Sequence, residues 1–248
     1  RREAFRARVP GFLARAKVAS VTMLPQSRTE EIADEAFESA LRAATGIWFD
    51  GGRQWNFVDA YENTRAIELF HDVLRRGGVI GGSSAGATIQ GEYLVRGHPL
   101  GNTVMMAEGY ERGFAFLPGV AIDQHFSQRR RQHDLISVIV RHPRLLGIGI
   151  DEATALIVQG SQAEVIGEHA VHFLRLPSPT ETLADDSADA HSESGDDDRQ
   201  PPQPNRDTYR SFAAGQVIDL QTLEPVPTQL QVPQPEEPQP DAARSAEP

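Results

Sequence analysis

Short apolar runs rich in β-branched residues alternate along this chain with stretches whose apolar residues recur every three or four positions. That alternation restricts the fold to the α/β class. VASVTML (18–24) reads as a buried strand. The stretch after Thr29, with Ile32, Ala36, Ala40, Leu41 and Ala44 at helical spacing, reads as a helix capped by Thr29 and stopped at Gly46. GIWF (46–49) is a second strand, running into the glycine turn DGGRQW (50–55). Thr64 caps a further helix carrying Ile67, Leu69, Phe70, Val73 and Leu74, which ends at Gly77-Gly78. The series continues with a strand VIGG (79–82), a helix from about Ala85, a strand in VAIDQHF (120–126), a helix over 131–142 and strands in LLGIGIDEATALIVQG (145–160). EVIGEHAVHFLRL (164–176) and QVIDL (216–220) read as the arms of a closing hairpin. This order predicts a mostly parallel sheet flanked by helices in three layers, with a C-terminal β-hairpin.

Charge divides the chain. Residues 1–177 hold 20 basic and 20 acidic groups, so the net charge of −11 lies in the 71 residues that follow. PSPTETLADDSADAHSESGDDDRQPPQPN has almost no apolar residues and cannot offset the entropy of folding, so disorder is expected there and in the Pro/Gln/Glu-rich end. The expected organisation is an α/β catalytic domain over 1–176, an acidic insert over 177–207, a closing strand of the same domain over 208–223, and a disordered tail over 224–248. The tail's P-x-x-P spacing suits an SH3-like partner, but a plain solvated tail is the simpler reading.

The balanced domain has no positive footprint for nucleic acid. No apolar run approaches the roughly 20 residues of a membrane span. The chain has no Cys, which excludes a disulfide framework, a thiolate nucleophile and a Cys-based zinc site, and fits a reducing, cytoplasmic setting. RREAFRARVPGF lacks the apolar core of a signal peptide and reads as the middle of a helix, so further sequence is expected upstream. An exposed sheet edge would favour a homodimer.

Gly82-Ser83-Ser84-Ala85-Gly86 fits G-x-S-x-G with Ser84 at its centre. The pattern alone arises by chance in roughly one chain in ten of this length at ordinary Gly usage, so its setting must carry the reading. An apolar strand precedes it and a helix follows, the setting of a nucleophile elbow. The Ala85 N–H would then serve an oxyanion. The alternative is an ordinary glycine-rich βα loop that binds phosphate or nothing.

A serine nucleophile needs a base and the base an orienter. Of eight His, His125 stands at the end of an apolar run, where sites form in parallel sheets. His169 and His172, three apart on a strand, face opposite ways and read as hairpin residues. His71, His98, His133 and His142 fall in helical or loop stretches and read as surface residues. Glu152 follows the strand GIGI and is the candidate orienter, with Asp151 and Asp123 as competitors.

Four blocks in order, GIWFDGGRQ, GGSSAGA, AIDQHFSQRRR and GIGIDEATA, resemble the cyanophycinase and dipeptidase E group of serine peptidases over roughly residues 18–160. The resemblance implies a class I glutamine-amidotransferase-like, flavodoxin-like fold. It also implies Ser84 as nucleophile, His125 as base, Glu152 as the acid, and the N–H groups of Gly52 and Ala85 as an oxyanion hole. Gln54, Asp123, Gln124, Arg129 and Arg131 match positions lining the aspartyl pocket of cyanophycinases. Cations at a helix start oppose the helix dipole, so Arg129-Arg130-Arg131 makes better sense with a carboxylate partner.

Three departures stand out. Family chains begin with a strand and glycine turn upstream of anything here. Arg53 stands where cyanophycinases usually carry Asp, and Asp134 where they usually carry Arg. The implied substrate is cyanophycin, cut to β-Asp-Arg units, or another aspartyl peptide; no cofactor or metal is implied. The rival readings are an α-aspartyl dipeptidase and a binding module that kept the fold without the chemistry. Glutamine amidotransfer is opposed by the absence of Cys.

Overall fold

The structure, a computed structural model, describes residues 15–24, 29, 32, 35–176 and 208–227. Helix α1 (Glu35–Ala43) leads into strand β1 (Gly46–Phe49), then α2 (Gln54–Tyr61) and α3 (Arg65–Arg75). Strand β2 (Val79–Gly82) is followed by the short α4 (Ala85–Thr88), β3 (Gly91–Tyr93) and β4 (Leu117–Gln124). Helix α5 (Gln132–Arg141) connects to β5 (Leu146–Ile150) and β6 (Thr154–Gln159). The remaining strands are β7 (Gln162–Gly167), β8 (Ala170–Leu174), β9 (Arg210–Ala213), β10 (Val217–Asp219) and β11 (Pro225–Val226).

The α/β expectation is met in its central pairings: β1 with β2, β3 with β4 and β4 with β5 all run parallel. They fall in two hydrogen-bonded sheets, β1-β2 and β3-β4-β5-β8-β9, beside an antiparallel β11-β10-β7-β6 sheet. Helix α3 forms as its sequence predicts: the Thr64 side chain accepts from the Ala66 N–H, and Leu69, Phe70 and Val73 are buried. Each such side chain contributes about 1.5–3 kcal/mol on removal from water.

Several expectations need correction. Residues 18–24 run as irregular chain, with Val18 exposed. A strand needs a neighbour for its backbone polar groups, and β1 has only β2 beside it among the described residues. Thr29 donates its hydroxyl to the Asp59 carbonyl (3.1 Å), and residues 30, 31, 33 and 34, on which its expected cap of a helix falls, lie outside the described residues. The DGGRQW turn runs straight into α2, whose buried Gln54, Val58, Ala60 and Tyr61 mix polar and apolar side chains and so hide its period. EVIGEHAVHFLRL divides into β7 and β8, which belong to different sheets: β7 pairs antiparallel with β10 (QVIDL), while β8 lies between β5 and β9. Residues 224–227 continue the ordered chain, because Pro225 and Val226 pair with β10 and Leu223 is buried. Residues 177–207 and 228–248 lie outside the described residues.

An aromatic cluster fixes the end of β1. The Phe49 ring meets Phe57 and Phe70 edge-on (centroids 5.5 and 5.2 Å) and also contacts Phe114 and Phe116. The Asp50-Gly51-Gly52 turn leaves from this anchored residue. A second cluster, with Leu135 and Ile139 of α5 and Phe126, lies against β5 and supports the turn that follows β4.

Candidate active site

Ser84 sits between β2 and α4 with φ 53° and ψ −115°, outside the ordinary wells for an L-residue. The two flanking glycines explain how the turn closes. A Cβ on Gly86 would collide with the Phe49 carbonyl, and one on Gly82 with the Gly86 carbonyl. The motif therefore packs α4 against β1 and β2 more tightly than any side chain permits. Gly51 lies against Ser84, its would-be Cβ 3.5 Å from the Ser84 Cβ. Asp50 holds this loop: its Oδ1 accepts from Gly51 N at 2.9 Å and from Ser83 Oγ at 3.4 Å. Ser83 thus faces Asp50, while Ser84 faces the imidazole. Neither Gly52 N nor Ala85 N has a hydrogen-bond acceptor among the described residues.

His125 follows β4, also at positive φ (53°). Its Nε2 lies 3.0 Å from Ser84 Oγ, and its Nδ1 lies 2.7 Å from Glu152 Oε1. An ionised carboxylate only accepts, so Nδ1 carries the proton in the neutral ring. Nε2 then presents its lone pair to the Ser84 hydroxyl, the arrangement for general-base activation of a serine.

The turns bearing His125 and Glu152 are joined by their own bonds. Phe126 N donates to the Ile150 carbonyl (3.1 Å), Ser127 N to Asp151 Oδ1 (2.9 Å), and Glu152 N to Gln128 Oε1 (3.0 Å). Phe126 lies directly over Gly149, where a Cβ would overlap its ring. Asp151, a competitor for the orienter in sequence, does not reach His125; it bonds Ser127 and His172. Burial alone would raise its carboxyl, but hydrogen bonds from the Ser127 hydroxyl and N–H and from His172 outweigh this and hold it below the usual value.

The residues matched to a substrate pocket divide into two groups. Asp123 is fully buried, and its oxygens accept from Arg96 Nε and a terminal nitrogen (3.0–3.1 Å), from Arg131 (2.7 Å) and from Gln124 N (3.0 Å). Arg131 is also buried and bonds the Gln124 carbonyl (2.6 Å). Arg96 completes the set with a 2.6 Å bond to Asp134. Two cations and two carboxylates thus neutralise one another. Asp123 and the Nη1 of Arg131 serve this internal network. Arg129, by contrast, is exposed. Gln54 is buried, with Nε2 3.4 Å from the Val95 carbonyl. Gln124 Oε1 and Trp55 Nε1 are buried polar atoms without a partner among the described residues. A buried acceptor and a buried donor left open are what a polar ligand would satisfy.

Sequence reasoning missed Arg96, Trp55, Gln128 and the bonding of His172. Nothing at those positions signals a site, since each acquires its role only through contacts distant in the chain. Among the described residues, no cluster of His, Asp and Glu could hold a metal ion, and no helix is long and apolar enough to cross a membrane.

An α/β scaffold carrying a serine, an imidazole and a carboxylate in hydrogen-bonded sequence at its strand ends belongs to the class of hydrolase-like α/β proteins. Within that class, the chain belongs to peptidase family S51, whose model matches residues 2–166. It is 32% identical over 168 residues to a cyanophycinase of Nostoc sp. strain PCC 7120, covering 65% of this chain and 54% of that protein. It is 33% identical over 141 residues to a cyanophycinase of Geminocystis herdmanii, covering 56% of this chain and 52% of that protein. The chain thus spans about half the length of the curated relatives it matches. The crystal structure of a peptidase from an acI-B1 actinobacterium shares the fold, with a TM-score of 0.52 at 22% identity over 80% of this chain and 68% of that one.

Proposed function

We propose that the protein is a serine-type, cyanophycinase-like peptidase that hydrolyses the amide bond on the acyl side of an aspartyl unit. The observation that carries this reading is the Ser84–His125–Glu152 relay, at 3.0 and 2.7 Å, on a turn with positive φ. Ser84 Oγ attacks the carbonyl carbon as its proton passes to His125 Nε2. Glu152 stabilises the imidazolium, and the N–H groups of Gly52 and Ala85 receive the oxyanion. His125 then returns the proton to the leaving amine, and water releases the acyl group by the same route.

Arg129 is the cation we assign to the substrate carboxylate, with Gln54 and the open Gln124 Oε1 as polar partners. Asp123 and Arg131 are assigned to the framework. Asp134, which bonds Arg96, stands where a cyanophycinase usually carries Arg, and small α-aspartyl peptides are the second substrate class to be tested.

The test is product analysis by mass spectrometry after incubating the full chain with cyanophycin, β-aspartyl dipeptides and α-aspartyl dipeptides in parallel. Release of β-Asp-Arg from the polymer is expected. Cleavage of Asp-X dipeptides alone would select the second class. Hydrolysis that survives Ser84→Ala at the unmodified rate would overturn the assignment.

A further inference from the structure

Strand β5 is followed by two consecutive carboxylates, and each takes a different histidine. Glu152 Oε1 lies on His125 Nδ1 (2.7 Å), and Asp151 Oδ2 on His172 Nε2 (3.2 Å). We propose that Asp151 and His172 are positioning residues, a clamp that keeps the His125 turn and Glu152 in alignment. The proposal rests on the Ser84–His125–Glu152 reading.

Exposure separates the two acids. The Glu152 side chain is 49% exposed, while that of Asp151 is 7% exposed. A half-exposed Glu has several rotamers of similar energy, so its hold on His125 depends on how its backbone is fixed. Asp151 supplies that fixing one residue away. One of its oxygens takes the Ser127 N–H from the His125 turn (2.9 Å), and the other takes His172 from β8. Gln128 Oε1 reaches back from the same turn to Glu152 N (3.0 Å). The turn and the acid are therefore tied twice, in opposite directions.

His172 is itself anchored. Its Nδ1 lies 2.7 Å from Ser211 Oγ on β9, and its ring lies against Phe126 with centroids 5.4 Å apart. Because Asp151 is an acceptor, His172 Nε2 carries the hydrogen and its neutral Nδ1 accepts from the Ser211 hydroxyl. The cluster is no second triad. Ser127 Oγ also lies on Nε2 (3.2 Å), the nitrogen that Asp151 uses, so base and orienter do not occupy opposite sides of the ring.

Removing the clamp leaves every reacting group in the chain but loosens the Glu152–His125 bond. Misplacement of about 1 Å can cost on the order of a hundredfold in rate. His172→Phe keeps a ring against Phe126 and removes the donor to Asp151 together with the Nδ1 acceptor of the Ser211 hydroxyl. It should lower kcat about tenfold with KM within a factor of about two, a loss expected of transition-state alignment alone. His172→Gln, whose amide can donate to Asp151, should recover most of the loss. A second readout needs no substrate: the low-field NMR signal of the His125 Nδ1 proton, recorded in a Ser84→Ala background and assigned by its loss in His125→Gln. It should be present with His172 and broadened or lost in His172→Phe.

Unmodified kcat and an intact signal in His172→Phe overturn the clamp. So does a rise in KM that accounts for the whole effect, which would place His172 in substrate binding. If Ser84→Ala retains activity, the catalytic reading falls instead, and the NMR signal still decides the clamp.

Discussion

Replacing Ser84 by glycine should leave the protein more stable than replacing it by alanine, the reverse of the usual order. Both changes remove the hydroxyl and its 3.0 Å contact with His125, so that loss cancels in the comparison. What remains is the backbone. At φ 53° and ψ −115° a residue with a Cβ carries strain, on the order of 1–3 kcal/mol for such regions. Glycine escapes that strain but loses roughly 0.5–1 kcal/mol more chain entropy on folding. The balance favours glycine by about 1 kcal/mol, whereas in a helix interior alanine leads by about as much. Urea titration of the two variants measures the difference directly, and in a thermal melt it corresponds to about 2–4 °C for a chain of this size. If the alanine variant is the more stable by about 1 kcal/mol, the turn is unstrained and Ser84 does not sit on a strained elbow.

Arg131→Ala should destabilise the fold by about 1.5–3 kcal/mol, because it takes one charge-assisted hydrogen bond from the buried Asp123 while Arg96 stays in place, and denaturant unfolding measures it. Arg129→Ala should leave the unfolding midpoint unchanged and lower kcat/KM for aspartyl substrates about tenfold or more, as expected for a lost carboxylate contact. Asp151 predicts a pH signature. Its carboxyl is held below the usual value, so its stabilisation is complete above the unfolded-state value of about 3.9 and fades as pH falls through the lower folded value. The melting temperature of Asp151→Asn should therefore trail that of the unmodified chain by a constant margin from pH 7 to about 5. The two should converge in more acid solution, and a margin that widens there would contradict the assignment.

The parallel core was legible because its strands are short apolar runs between clear helix signals; Thr64 caps its helix where its side chain and the following apolar stripe require. Ser84 could be chosen over Ser83 from the motif alone, and the bond of Ser83 to Asp50 accords with that choice. Other features depended on partners distant in the chain. The arginines at 129 and 131 look alike in RRR, yet burial sends one to Asp123 and leaves the other in solvent. Asp151 and Glu152 are adjacent carboxylates after the same strand, and only the fold shows that Glu152 meets His125 while Asp151 is buried against His172. The run at 18–24 has strand composition but no neighbouring strand among the described residues, and β-propensity without a pairing partner does not make a sheet.

The most direct test of the catalytic assignment is covalent labelling by a fluorophosphonate, read by peptide mass spectrometry on the folded full chain. Phosphonylation should map to Ser84, and should be lost in His125→Ala and slowed in Glu152→Gln. Labelling at Ser83 or Ser127, or at Ser84 with the same rate in all three proteins, would contradict a serine activated by this histidine and this acid.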